Sequence, residues 1–124
     1  MRALIVDDSN FIREYIRQQL EYLGCDCAEA QDGGQALGML REDGGFDVML
    51  VDVNMPVMDG MECVRRLREG QLAPEMKVMM VTTEADNSFI RQALEYGADE
   101  FLMKPFSPQS LREKLLLLGF EMAV

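Results

Sequence analysis

Histidine is absent from the 124 residues, which removes the commonest partner for a zinc site and leaves Cys25, Cys27 and Cys63 as an odd set without repeated spacing. Such cysteines are expected to be reduced thiols of an intracellular protein. Basic residues are scarce as well. Twelve Lys and Arg against 22 Asp and Glu give a formal charge of -10, which opposes the attraction that drives nucleic-acid binding. Direct contact with DNA is therefore not expected. No long apolar run is present: residues 115–118 are far too few to span a bilayer, and the amino terminus passes from Leu4, Ile5 and Val6 straight into Asp7 and Asp8. This predicts a soluble, cytoplasmic chain with no membrane partner. Internal repeats, low-complexity tracts and linkers are missing too, so a single domain over 1–124 is expected to hold the whole function.

What is present is an alternation of strand-like and helix-like segments. Residues 3–6 and 48–51 are continuous apolar runs, each followed by aspartate, as expected of strands buried on both faces of a parallel sheet. Residues 78–81 repeat the pattern and run into Thr82 and Thr83, while 26–30 and 100–103 read as weaker or shorter strands. Between them, Phe11, Ile12, Tyr15, Ile16, Leu20 and Leu23 recur at three- and four-residue steps before Gly24, a natural helix stop. Asp32, Gly33 and Gly34 read as a turn before a short helix through Ala36, Leu37 and Leu40, closed by Gly44 and Gly45. Asp59 with Glu62 three residues on matches a capping box for a helix through Val64, Leu67 and Arg68 toward Gly70. A fourth helix follows Asp86 and stops at Gly97; Ser107 and Pro108 stand where a cap and a first-turn proline belong, ahead of Leu111, Leu115 and Leu118. Five such units predict an α/β domain, a parallel sheet with helices on both faces.

In that architecture a site lies at the carboxyl ends of the strands, beside the switch in strand order. Asp7 and Asp8, Asp52, Thr82, and Lys104 with Pro105 all fall at such ends. Three carboxylates in one crevice repel one another unless a cation sits among them. Magnesium suits that demand, because it takes one or two carboxylates, keeps several waters and shares its remaining positions with phosphate oxygens. Calcium would need more ligands than these residues supply. An aspartate there can act as nucleophile and form an aspartyl phosphate, with Lys104 as a point charge and Thr82 as a hydroxyl donor.

These residues resemble the signature of response-regulator receivers over almost the whole chain. The stretch from Met49 to Gly60 is similar to the family's acceptor-loop motif, and that from Phe101 to Phe106 to its fifth-strand motif. The resemblance implies a flavodoxin-like (βα)5 domain with strand order 2-1-3-4-5, an order that comes with the family and is not read from the residues. It implies that Asp52 is the phosphoacceptor, that Asp8 and Asp52 bind Mg2+ through carboxylates, Asn54 through its carbonyl and Asp7 through a water. It further implies that Lys104 contacts the phosphoryl oxygens, that Thr82 and Phe101 form a switch, and that the bond before Pro105 is cis. The donor would be a sensor histidine kinase or a phosphotransfer protein. An output protein would bind the face made by the fourth helix, fifth strand and fifth helix, where Ile90, Leu94 and Phe101 offer an apolar patch. Asn54, Thr83 and Glu84 surround the acceptor as candidates for control of the phosphoryl lifetime.

Met49, Met79, Met80 and Met103 fall inside predicted strands and are expected to fill gaps in the core; Met55, Met58 and Met61 surround the acceptor loop. The expected chemistry is metal-dependent self-phosphorylation and slow autodephosphorylation, without turnover of an external substrate. An aspartyl-phosphate phosphatase of the haloacid-dehalogenase type would need an acid two positions after the nucleophile, where Asn54 stands. A flavodoxin-like cofactor carrier would need a phosphate-cradling loop where Asp7 and Asp8 stand. Within the family, a phosphorelay intermediate and a receiver cut from a longer regulator remain open. A chain ending soon after its fifth helix favours a stand-alone regulator of the chemotaxis type, in which Asn54, Glu84 and Lys114 match in residue type.

Overall fold

The structure, a computed structural model, describes residues 1–83 and 87–121. The chain runs β1 (Arg2–Val6), α1 (Asn10–Tyr22), β2 (Asp26–Ala30), α2 (Gly33–Glu42), β3 (Val48–Asp52), α3 (Gly60–Glu69), β4 (Lys77–Thr82), α4 (Asn87–Glu95), β5 (Glu100–Met103) and α5 (Pro108–Leu117). The five strands pair in parallel in the order β2-β1-β3-β4-β5. The chain thus turns outward from β1 to β2 and returns past β1 to β3, which leaves a crevice between the carboxyl ends of β1 and β3.

Period-two alternation explains why the central strands are apolar at every position. Ala3, Ile5, Val48, Leu50, Met79 and Val81 face one way and pack with Ile16 and Leu20 of α1 and Leu111 and Leu115 of α5. Leu4, Val6, Met49, Val51, Val78 and Met80 face the other way and pack with Leu37 and Leu40 of α2, Val64 and Leu67 of α3, and Ala93 of α4. Each such Val, Leu, Ile or Met side chain contributes about 1.5–3 kcal/mol by leaving water, so the two packed faces of the sheet form the frame beneath the strand ends.

Several local expectations change. Gly33 and Gly34 are not a turn but the first turn of α2, because Asp32 acts as the cap and accepts the Gln35 N–H at 2.8 Å. A Cβ on Gly33 would stand 2.9 Å from Met58 Sδ and 3.1 Å from Cys63 Cβ, so glycine lets α2 and α3 approach closely. The Asp59–Glu62 capping box is half formed. Asp59 accepts the Glu62 N–H at 2.8 Å, while the Glu62 carboxylate turns to Arg65 and Arg66. Phe11 leaves the apolar stripe of α1 and is 76% exposed, and Arg13 takes a buried place beside Ile16 and Leu20. Met49, Met79 and Met80 are fully buried, but Met103, the last residue of β5, is 37% exposed. Ser107 and Pro108 start α5 as expected, with Ser107 Oγ accepting the Ser110 N–H. Asp86, the expected start of α4, lies outside the described residues. Among the described residues no helix is long and apolar enough to cross a membrane.

Candidate functional site

The turn after β1 is built by hydrogen bonds that continue the sheet and then begin a helix. The Asp7 N–H donates to the Ala30 carbonyl at 3.2 Å, its Oδ1 accepts the Ser9 N–H at 2.9 Å, and Ser9 caps α1 by accepting the Ile12 N–H at 3.2 Å. Asp7 is buried, whereas Asp8 is exposed and its side chain forms no hydrogen bond among the described residues. Asp52 ends β3 and is buried too, held beneath by the close approach of α3: a Cβ on Gly60 would fall 2.3 Å from the Asp52 carbonyl oxygen. Only glycine fits there.

These elements bring one oxygen each of Asp7, Asp8 and Asp52 within 4.8 Å of one another. From β5, Lys104 reaches over, its Nζ 3.0 Å from Asp52 Oδ1 and 3.3 Å from Asp7 Oδ2. The Lys104 N–H donates to the Thr82 carbonyl at 2.8 Å, and the Lys104–Pro105 peptide is cis. One ammonium therefore serves two of the three carboxylates and leaves Asp8 without a partner among the described residues. Burial, then the neighbouring charges of Asp7 and Asp8, raise the Asp52 carboxyl above its ordinary value despite the opposing hydrogen bond from Lys104. For Lys104, burial works to lower the value, but its bonds to Asp52 and the charge of Asp7 prevail and leave it raised. A cluster of hard oxygen donors, short of positive charge and open to solvent at Asp8, fits a small divalent cation.

Thr82 is 1% exposed at the end of β4, one residue beyond Val81, the strand partner of Asp52. Thr83 is exposed and, with Lys104, Pro105, Tyr15 and Phe106, lines an apolar groove of about 370 Å³ beside the carboxylates. Phe101 is half-buried against the core, with the Lys114 ammonium 4.9 Å above its ring and 3.1 Å from Glu100 Oε1. Leu94 is 50% exposed and Ile90 half-buried. Asn54 is exposed on the loop after β3; Met55, Met58 and Met61 pack partly against the core below it. Glu84 lies outside the described residues. Two contributors escaped the sequence reading. Gly60 closes the acceptor-loop motif but was given no role of its own, and Arg13, although in step with Ile16 and Leu20, was obscured by its charge.

A family model described as the response regulator receiver domain matches residues 3–116. The chemotaxis protein CheY of Pseudomonas aeruginosa is 40% identical over 116 residues, covering 93% of each chain. A CheY homolog of Campylobacter jejuni is 39% identical over 93% of this chain and 89% of its own length. The solved structure of Vibrio cholerae CheY4 is similar with a TM-score of 0.87 and 35% identity, over 94% of this chain and 96% of that one. A family match of that reach, on a sheet whose carboxyl ends gather three aspartates and a lysine, makes this chain a member of the response regulator receiver domains of two-component signalling, CheY-like in fold.

Proposed function

We propose that Asp52 is the phosphoacceptor of a signalling switch, receiving a phosphoryl group from a histidine kinase or a phosphotransfer protein. The observation that carries this reading is the Asp52 carboxylate, buried at the end of a central strand and held 3.0 Å from Lys104 beside two further carboxylates. In the transfer, an Asp52 oxygen forms the new bond to phosphorus as the phosphorus–nitrogen bond of a phosphohistidine breaks, and the departing imidazole takes a proton from solvent. Lys104 exchanges part of its pairing with Asp52 and Asp7 for the arriving phosphoryl oxygens. The Thr82 hydroxyl then donates to the phosphoryl group, and Phe101 follows inward behind it.

Asp8 and Asp52 would hold Mg2+ through their carboxylates, Asn54 through its carbonyl and Asp7 through a water. Once bound, the ion supplies positive charge against the phosphoryl oxygens. The division between Asp7 and Asp8 is supported by their surroundings. Both Asp7 oxygens already accept bonds, from Ser9 and Lys104, while Asp8 is exposed and uncommitted. The face of α4, β5 and α5, with Ile90, Leu94 and Phe101, is the surface an output partner reads. The chemistry is self-phosphorylation and self-hydrolysis at one aspartate, not turnover of an external substrate.

Incubation with Mg2+ and acetyl phosphate, followed by intact mass measurement, is expected to add one phosphoryl group to wild type and none to Asp52→Asn. An addition that survives Asp52→Asn would move the acceptor elsewhere. Asp8→Asn is expected to weaken Mg2+ binding by at least about tenfold and Asp7→Asn by less. Equal losses would undo the division of roles.

A further inference from the structure

Arg13 is a cation on the inward face of α1, in helical step with Ile16 and Leu20, and its side chain is 9% exposed. A guanidinium leaves water at high cost unless its donors are satisfied, and these are. Nη1 donates to the Asp7 carbonyl at 2.5 Å, Nε to Glu29 Oε1 at 3.0 Å, and Nη2 to Asn10 Oδ1. Glu29, on the edge strand β2, is itself fixed from the other side, since its Oε2 accepts from Arg17 Nε at 2.8 Å. Stability alone does not explain such an arrangement. Replacing a buried ion pair by apolar side chains of similar size is often neutral or stabilising. What distinguishes Arg13 is the acceptor it reaches.

The Asp7 carbonyl belongs to the same planar peptide unit as the Asp8 N–H, so fixing that oxygen fixes the plane from which the Asp8 side chain departs. Asp7 has other restraints, through Ala30, Ser9 and Lys104. The Asp8 carboxylate has no such partner among the described residues, so its aim is set by its backbone. We propose that Arg13, braced by Glu29, is a positioning residue for the cation site: by clamping the Asp7 carbonyl it presets the turn that points Asp8 at the ion. The inference rests on the reading of Asp7, Asp8 and Asp52 as a magnesium site.

The test is Mg2+ affinity by calorimetry, set against thermal unfolding in EDTA, for wild type, Arg13→Met, Arg13→Lys, Glu29→Gln and Arg17→Met. Arg13→Met keeps the bulk of the side chain and loses the clamp; its Mg2+ affinity is expected to fall by about ten- to a hundredfold, the range seen when a partner of a metal ligand is removed. Arg13→Lys, which can still reach the carbonyl, recovers part of that loss. Glu29→Gln, which loosens the brace, loses several-fold. Arg17→Met removes the outer contact on Glu29 but none on Asp7, so it is expected to lose less Mg2+ affinity than Glu29→Gln. Should Arg13→Met fail to fold, Glu29→Gln decides. Magnesium binding by wild type with unchanged affinity in the Glu29 and folded Arg13 variants, whatever their melting temperatures, would reduce Arg13 to a structural residue and overturn the proposal. Failure of wild type itself to bind Mg2+ would instead overturn the parent reading, and this one with it.

Discussion

Asp43, Asp47 and Asp99, beside the amino ends of strands, each have a partner of their own, whereas Asp7, Asp8 and Asp52, gathered at the carboxyl ends of β1 and β3, do not. Before β3, Asp43 pairs with Arg2 at 2.7 Å and Asp47 accepts the Arg2 N–H at 2.8 Å. Before β5, Asp99 accepts both from Arg68 at 3.0 Å and from the Val78 N–H at 2.8 Å. Across the sheet, Asp7 and Asp52 share the ammonium of Lys104, and Asp8 beside them has no partner among the described residues. The same residue types thus serve closure at one end and are kept short of countercharge at the other. A paired carboxylate ties loops together and has little left to offer. An unmatched group of three is costly to hold and ready for a cation and a phosphoryl group.

Gly60→Ala gives the largest expected effect, because it presses on the reactive end from below. The new Cβ would meet the Asp52 carbonyl oxygen at 2.3 Å and Val53 Cα at 2.9 Å, and backbone cannot swing aside. Destabilisation near the upper end of the usual cost of overpacking, about 3 kcal/mol, is expected in urea unfolding. A fall in phosphorylation rate on the order of a hundredfold should accompany it, as Asp52 is displaced. A variant that loses stability yet phosphorylates at the wild-type rate would show that α3 can move without carrying the acceptor.

Arg68→Ala probes the other end. It removes donors to the Gly97 carbonyl, the Met76 carbonyl and Asp99, each 3.0 Å away, and should cost roughly 1–3 kcal/mol. Magnesium affinity and phosphorylation should stay at wild-type values. A loss of Mg2+ affinity would mean the two ends are not independent.

The smallest effect concerns the mouth of the site. Thr83 is exposed beside Lys104, where water must pass to reach the phosphorus. Thr83→Ala is expected to shorten the phosphoryl lifetime several-fold by opening that path, and Asn54→Met to lengthen it. Decay followed after removal of the donor measures both, and a Thr83→Ala lifetime equal to or longer than wild type would exclude Thr83 as the barrier.

Much of this contrast is legible in the sequence. Strand ends announce themselves because a continuous apolar run must stop where the sheet meets water, and Asp7, Asp52, Thr82 and Lys104 stand at those stops. The matched end is harder to read. Arg2 with Asp43, and Arg68 with Asp99, lie 41 and 31 residues apart, and no local pattern links them. Arg13 escaped for a related reason, since its partners Asp7, Asn10 and Glu29 come from three elements or turns, so a charge that reads as solvated is in fact enclosed. Glycine at 33 was misjudged because local preference favours a turn, while the packing of α2 on α3 demanded a residue without a side chain.

The charge deficit is tested most directly by the thermal stability of wild type and Asp52→Asn, in EDTA and in Mg2+, as a function of pH. Because the folded chain holds the Asp52 proton more tightly than the unfolded chain does, Asp52 favours the fold at acid pH. That contribution is lost as pH rises from the ordinary carboxylate range through the raised value. At neutral pH the ionised Asp52 is then a net burden in the metal-free protein. Asp52→Asn is therefore predicted to melt above wild type in EDTA at neutral pH, by a margin that shrinks on acidification. Addition of Mg2+ should raise wild type more than the variant and close the gap. A metal-free Asp52→Asn protein that melts below wild type at neutral pH, with Mg2+ raising both equally, would contradict the account.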